Sequence, residues 1–228
     1  ATANAVWGNQ PSVLVGDFLF TRAFQLMVEA KSLEVLSTLA NASAVIAEGE
    51  VLQLIATRDT NTTEAAYYDI ITAKTAALFA AACRVAGVLA SRPARETEAL
   101  DNFGRELGIA FQLVDDALDY SAEQASLGKN IGDDFKEGKV TLPVLLAYQR
   151  GDETERAFWR RTIARGEQQP GDLNAAIKLM SRHQALAETI ARARAHGDRA
   201  LAALELFPDG EIRQSLADTV AFAVERGY

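Results

Sequence analysis

Cysteine occurs once in these 228 residues, at Cys83. A single thiol excludes an internal disulfide and suits a reducing, cytoplasmic location. Histidine occurs only at His183 and His196, so a zinc centre built from imidazole and thiolate lacks its ligands. Neither histidine is assigned a role. Proline is limited to five positions. No alternating apolar–polar run of strand length occurs, which leaves helix as the expected element. No basic stripe offsets the formal charge of −8, so no nucleic-acid partner is expected. No apolar run reaches membrane-spanning length and no signal-peptide pattern opens the chain, so no membrane span is expected. An initiator methionine is also missing, and Ala-Thr-Ala-Asn-Ala-Val-Trp-Gly-Asn reads as the middle of a longer protein.

What is present is apolar and helix-forming. Hydrophobic residues make up 49% of the chain, enough for the core of one domain spanning residues 1–228. Residues 1–11 read as a loop. Helices are expected at 13–30, 32–56, 64–90, 95–120, from Pro143, and at 154–165, 171–182, 185–206 and 209–226. Val13, Phe20, Phe24 and Met27 give the first an apolar face, and Gly16-Asp17 permits a close helix contact. Leu33, Leu36, Leu39, Ala40 and Ile46 do the same for the second. The last three alternate Ala or Leu with charges and read as outer cover. The fold class is all-α, a bundle of long helices.

One segment stands apart: Gly108-Ile-Ala-Phe-Gln-Leu-Val-Asp-Asp-Ala-Leu-Asp-Tyr120. Asp115, Asp116 and Asp119 lie at i, i+1 and i+4 within a run that is apolar nearly all round. An Asp-Asp pair alone is ordinary solvated surface. Here the flanks Ile109, Phe111, Leu113, Val114, Ala117 and Leu118 make the segment interior. Interior carboxylates need a partner or a cation. Hard oxygen donors at this spacing suit Mg²⁺. Gln112, three residues before Asp115, edges the same face.

Three lysines offer an anion site. Lys74, with Thr75 beside it, lies in the small-residue run Ala73 to Ala82, where it either snorkels or faces an anion. Lys129 and Lys139 bracket the loop after the aspartate helix, which reads either as solvated loop or as a phosphate clamp beside a metal. Asp133 and Asp134 either ligate through water or cap the next turn. Gly104 and Gly108 are packing points. Small residues around 73–88 and 104–110 serve equally as tight packing or as walls of a tunnel.

Phe111-Gln-Leu-Val-Asp-Asp-Ala-Leu-Asp119, Leu127-Gly-Lys-Asn-Ile-Gly-Asp-Asp134 and Gly138-Lys-Val-Thr-Leu-Pro143 resemble the second aspartate-rich region of trans-prenyl diphosphate synthases. Ala73-Lys-Thr-Ala76 resembles that family's Lys-Thr motif. Trp7-Gly-Asn, Val13-Leu-Val-Gly-Asp-Phe-Leu-Phe20 and Gly49-Glu-Val-Leu-Gln-Leu54 look like its long-chain branch, the octaprenyl, solanesyl and decaprenyl diphosphate synthases. The resemblance implies an isoprenoid synthase-type helical bundle around a central cavity. It implies head-to-tail condensation of an allylic prenyl diphosphate with isopentenyl diphosphate, plausibly for a quinone side chain, and a homodimer. By the same resemblance Asp115, Asp116 and Asp119 would hold Mg²⁺. Lys74, Lys129 and Lys139 would contact the diphosphate, with Phe111, Thr75 and Gln112 lining the reacting centre.

The family's first aspartate-rich motif and isopentenyl diphosphate site would precede Ala1. The expectation is therefore that N-terminal helices are missing and that this piece is inactive alone. A class I terpenoid cyclase or head-to-head synthase, and a non-catalytic subunit of a heteromeric synthase, remain as alternatives.

Overall fold

The computed structural model describes residues 2–121 and 131–225. Among these residues every regular element is helical. α1 (Ala3–Trp7), α2 (Asn9–Glu29) and α3 (Leu33–Ala56) come first. α4 (Glu64–Ile71) continues through a π-helical turn, Thr72–Ala76, into α5 (Ala77–Leu89). Then follow α6 (Ala94–Leu118), α7 (Asp133–Glu137), α8 (Leu142–Arg150) and α9 (Glu153–Trp159), the last with a π turn at Arg160–Ala164. α10 (Asp172–Arg182), α11 (Ala185–Leu204) and α12 (Glu211–Glu225) complete the chain.

The helix starts follow local chemistry. Ser32 and Thr63 cap α3 and α4 by accepting the N–H of Val35 and Ala66. Pro143 stands in the first turn of α8, where no intrahelical N–H is required. Asp152 and Glu155 form a reciprocal capping box at α9.

α6 is the axis of the bundle. It packs along α5 on one side and α11 on another, with α8 and α12 also against it. Ala110, Leu113, Val114 and Ala117 have no exposure. Gly104 and Gly108 are the packing points expected. A Cβ on Gly104 would lie 2.3 Å from the Phe79 carbonyl oxygen, and one on Gly108 2.6 Å from the Ala76 Cα. These small residues thus bring α5 and α6 into backbone contact, which is what α6 needs to place Gln112 beside Thr75.

Several expectations are corrected. Residues 3–7 are a helical turn rather than loop, because the Thr2 hydroxyl accepts the Ala5 N–H at 3.1 Å. Gly16 makes no close contact within this chain, since nothing lies within 4 Å of an added Cβ. The buried stripe of α3 is Val35, Ala42 and Gly49, while Leu33 and Ala40 face outward. α11 is not outer cover: Ala185, Ala193 and Ala200 are fully buried, their short side chains admitting the helix against its neighbours. Two helices, Leu33–Ala56 and Glu64–Leu89, are long and apolar enough to cross a membrane by length and composition, contrary to the reading of the bare sequence. The second carries Lys74 into a polar cavity and packs against α6.

α2 differs from the rest. Of its apolar residues only Met27 is buried, and Phe18, Leu19 and Phe20 lie open to solvent.

Candidate active site

The expected chemistry-bearing residues converge on a cavity of about 140 Å³ between α3, α4, α6 and the start of α8. Lys74, Gln112, Asp115, Asp116 and Lys139 all line it, with Gln53, Tyr67 and Asp134. Two backbone features place Lys74 and Thr75. The π turn widens the helix at Thr72–Ala76, a distortion the periodicity of the sequence does not reveal. Gly49 on α3 then lets that turn approach, since a Cβ there would stand 2.6 Å from the Lys74 backbone nitrogen.

A hydrogen-bonded relay crosses the site. The Thr75 hydroxyl donates to Oε1 of Gln112 at 2.7 Å. Nε2 of Gln112 donates to Oδ1 of Asp116 at 2.7 Å. The Tyr67 hydroxyl donates to Oδ2 of Asp116 at 2.6 Å. Thr75 and Gln112 are thereby joined to the Asp116 carboxylate. Lys74 donates through Nζ to Oε1 of Gln53 at 2.5 Å, so its ammonium is held inside the site.

Asp116 is only 3% exposed. Its burial, then the nearby Asp134 charge, push its carboxyl up to about 7, against the pull of the Tyr67 and Gln112 hydrogen bonds. Burial and the Asp116 charge together raise Tyr67 well above its ordinary value, so it stays a hydroxyl donor. Lys139 is raised despite its burial, because Glu137 and Asp134 accept from its ammonium at 2.8 and 2.9 Å.

The aspartates have different partners within this chain. Asp115 and Asp116 line the cavity. Asp119 turns to α7, where its carboxylate accepts the backbone N–H of Asp133 at 3.3 Å and of Asp134 at 3.1 Å. It ties the first turn of α7 to the end of α6. Its pKa rises to about 6 through burial and the Asp134 charge, against those two hydrogen bonds. Asp133 pairs with Lys136 on the surface. Phe111 is half-buried beside Phe79 at 5.5 Å between ring centroids, and the cavity lining does not include it. Lys129 lies outside the described residues. His183 and His196 pair with Glu155 and Glu106, ties between helices.

Among the described residues no three His, Cys, Asp or Glu side chains form a ready metal cage. The donor set still fits a hard divalent cation. Mg²⁺ is ordinarily held by one or two carboxylates with the remaining positions on phosphate oxygens and water. Asp115 and Asp116 supply such carboxylates on the cavity wall. Lysines beside them suit the anion that would share the metal.

Gln53 and Tyr67 were missed as site residues by reading the sequence. A faint signal existed for each: Tyr67 stands seven residues before Lys74 on one helix, and Gln53 closes the Gly49-Glu-Val-Leu-Gln run.

Known proteins carry the same sequence pattern and fold. The polyprenyl synthetase family model matches residues 1–180. The octaprenyl diphosphate synthase of Haemophilus influenzae is 44% identical over 228 residues, covering 100% of this chain and 69% of that protein. A decaprenyl diphosphate synthase structure from Rhodobacter capsulatus superposes with a TM-score of 0.91 at 51% identity, covering 100% of this chain and 70% of that one. A polyprenyl synthase structure from Caulobacter crescentus, complexed with calcium and isoprenyl diphosphate, gives 0.93 at 50% identity, covering 99% of this chain and 69% of that one.

Proposed function

The chain belongs to the polyprenyl synthetase family, and on that premise we propose that its cavity holds the diphosphate of an allylic substrate through Mg²⁺ on Asp115 and Asp116. The protein is a long-chain prenyltransferase, condensing an allylic prenyl diphosphate with isopentenyl diphosphate head to tail. The family and the relatives reported above are polyprenyl synthases and polyprenyl diphosphate synthases, which favours chain elongation over the cyclase and head-to-head readings. The observation that carries the site assignment is the convergence of three carboxylates, Asp115, Asp116 and Asp134, and two lysines on one cavity, where Gln112 links Asp116 to Thr75.

When bound, the divalent cation neutralises charge on the leaving diphosphate. Lys74 and Lys139, both on the cavity wall, would add positive charge as the allylic C–O bond ionises. The double bond of isopentenyl diphosphate attacks the allylic cation, and a proton is then lost. Thr75 and Gln112 orient the departing diphosphate to take it. Apolar helix walls exclude water that would quench the cation. An apolar groove of about 610 Å³ between α2, α3 and α5, lined by Phe20, Met27, Val35, Leu39, Leu78 and Leu89, is where this reading puts the growing chain. Product length is left open, because relatives this similar make octaprenyl and decaprenyl products. Lys129 and Asp119 complete the diphosphate and metal set in this reading.

The same reading makes the enzyme a cytoplasmic homodimer serving a quinone side chain, without a membrane span. The open apolar residues of α2, Val13, Leu14, Phe18 and Phe20 among them, support α2 as the subunit interface. A single cysteine suits the cytoplasm.

The test is Asp115→Ala in the complete enzyme, assayed with allylic and isopentenyl diphosphates in Mg²⁺. Product formation is expected to collapse. Normal turnover by the variant would remove Asp115 from the mechanism, whereas no turnover by the wild-type protein alone would favour a non-catalytic subunit.

A further inference from the structure

Tyr67 stands on α4, two helical turns before Lys74. It is 3% exposed, and its hydroxyl donates to the carboxylate of Asp116, which is equally buried. The opposite oxygen of Asp116 takes the Gln112 amide. Donors from two different helices therefore grip one carboxylate at both ends. Each oxygen retains a second lone pair. With both ends gripped, the plane of the carboxylate is set, and so is the direction of the remaining lone pairs. The Tyr67 ring is itself braced. It meets Tyr68 edge-on at 5.6 Å, and Tyr68 lies against His196 at 5.8 Å. A phenylalanine would fill the same volume, so packing does not account for the hydroxyl.

We propose that Tyr67 is a positioning residue of the metal site: its hydroxyl locks the orientation of Asp116 and thereby sets the affinity of the cavity for a hard divalent cation. The proposal rests on Asp116 being a metal ligand, as read above. Partners in the outer shell of a metal site commonly contribute 10–100-fold to metal affinity or activity, in order of magnitude. Gln112 remains as a second grip, so the lower end of that range applies here.

The experiment uses the complete enzyme. Binding of Mn²⁺ in the presence of inorganic diphosphate is measured by calorimetry, and the Mg²⁺ dependence of the initial rate alongside it. Tyr67→Phe is expected to weaken Mn²⁺ binding about tenfold and to need about tenfold more Mg²⁺ for half-maximal rate. At saturating Mg²⁺ most of kcat should return, a recovery that a merely damaged core would not show. Tyr68→Phe removes the neighbouring hydroxyl, which does not face Asp116, and should bind Mn²⁺ as the wild type does.

Tyr67→Phe binding within about twofold of wild type overturns the proposal, as does an equal loss in Tyr68→Phe. A Tyr67→Phe protein that fails to fold overturns it too, since the hydroxyl then serves stability. Asp116→Asn separates the two levels of the argument. If it binds Mn²⁺ normally, the reading of Asp116 as ligand falls. If it loses binding while Tyr67→Phe does not, only the positioning role falls.

Discussion

α6 and α2 are both long helices rich in apolar residues, yet they meet opposite fates. On α6, Leu113, Val114 and Ala117 have no exposure. On α2, Phe18 is 67% exposed and Phe20 59%. The residue types alone do not distinguish them. α6 has neighbours from this chain on several sides, brought close by glycine and alanine, whereas α2 meets mainly the short α1 and touches α3 sparsely. An aromatic left open costs about 1.5–3 kcal/mol relative to a buried one. A whole helix of them is unusual unless another surface covers it. One helix thus organises the interior and the site, and the other offers a surface.

The sharpest break of that contrast is at the site end of α6. Asp115→Ala is expected to lower kcat/KM about 10²–10³-fold, as removal of a charge-stabilising group commonly does. A loss confined to activity, with an unchanged circular dichroism spectrum, would assign α6 a chemical as well as a packing role. The packing itself is tested by Gly108→Val, whose Cβ would meet the Ala76 Cα at 2.6 Å. Backbone cannot give way as a flexible side chain can, so a loss of about 3 kcal/mol in urea unfolding is expected. Gly16→Ala on α2 is the counterpart. With nothing within 4 Å, it should change monomer stability by less than about 1 kcal/mol.

Next in size is Phe18→Asp. It should weaken self-association by about 2 kcal/mol, seen by analytical ultracentrifugation, while leaving helix content intact. Unchanged association would deny α2 its role as an interface. The smallest effect lies away from both helices. Glu155 caps α9 and also accepts from Arg182 at 2.6 Å and pairs with His183 at 2.7 Å. His183, and then Arg182 and the Asp152 N–H, hold its carboxyl below the ordinary value of 4.5 in spite of burial. Its contribution is therefore present above pH 4.5 and lost as pH falls through the lower folded-state value. Glu155→Gln should cost about 1 kcal/mol at pH 7. The gap between variant and wild-type Tm should close on acidification below 4.5.

Much of this was legible beforehand. The extents of α3, α6 and α10 follow from apolar spacing and from caps such as Ser32. The interior character of the aspartate segment followed from its flanks. Gly104 and Gly108 stood out as packing points because four-residue spacing places both on one face. The role of α11 was misread, since alternation of alanine and charge looks the same on an outer helix as on one that uses alanine to pack closely. The stripe on α3 was misread because apolar residues occur on most of its faces, and only a neighbour selects Val35, Ala42 and Gly49. The resemblance grouped the three aspartates on one metal, and only the fold shows that Asp119 also ties down α7, a partner fourteen and fifteen residues away.

By itself the sequence determined the all-helical class, the order of the helices and the types of charge available at the site. These depend on local periodicity, capping and composition, which a chain carries wherever its neighbours lie. The tertiary structure alone decided the π turn that aims Lys74 and Thr75, the grip of Tyr67 and Gln112 on Asp116, and the parting of Asp119 from Asp115. Each of these depends on a contact between segments distant in the chain, and the directions of hydrogen bonds become defined only when two helices meet.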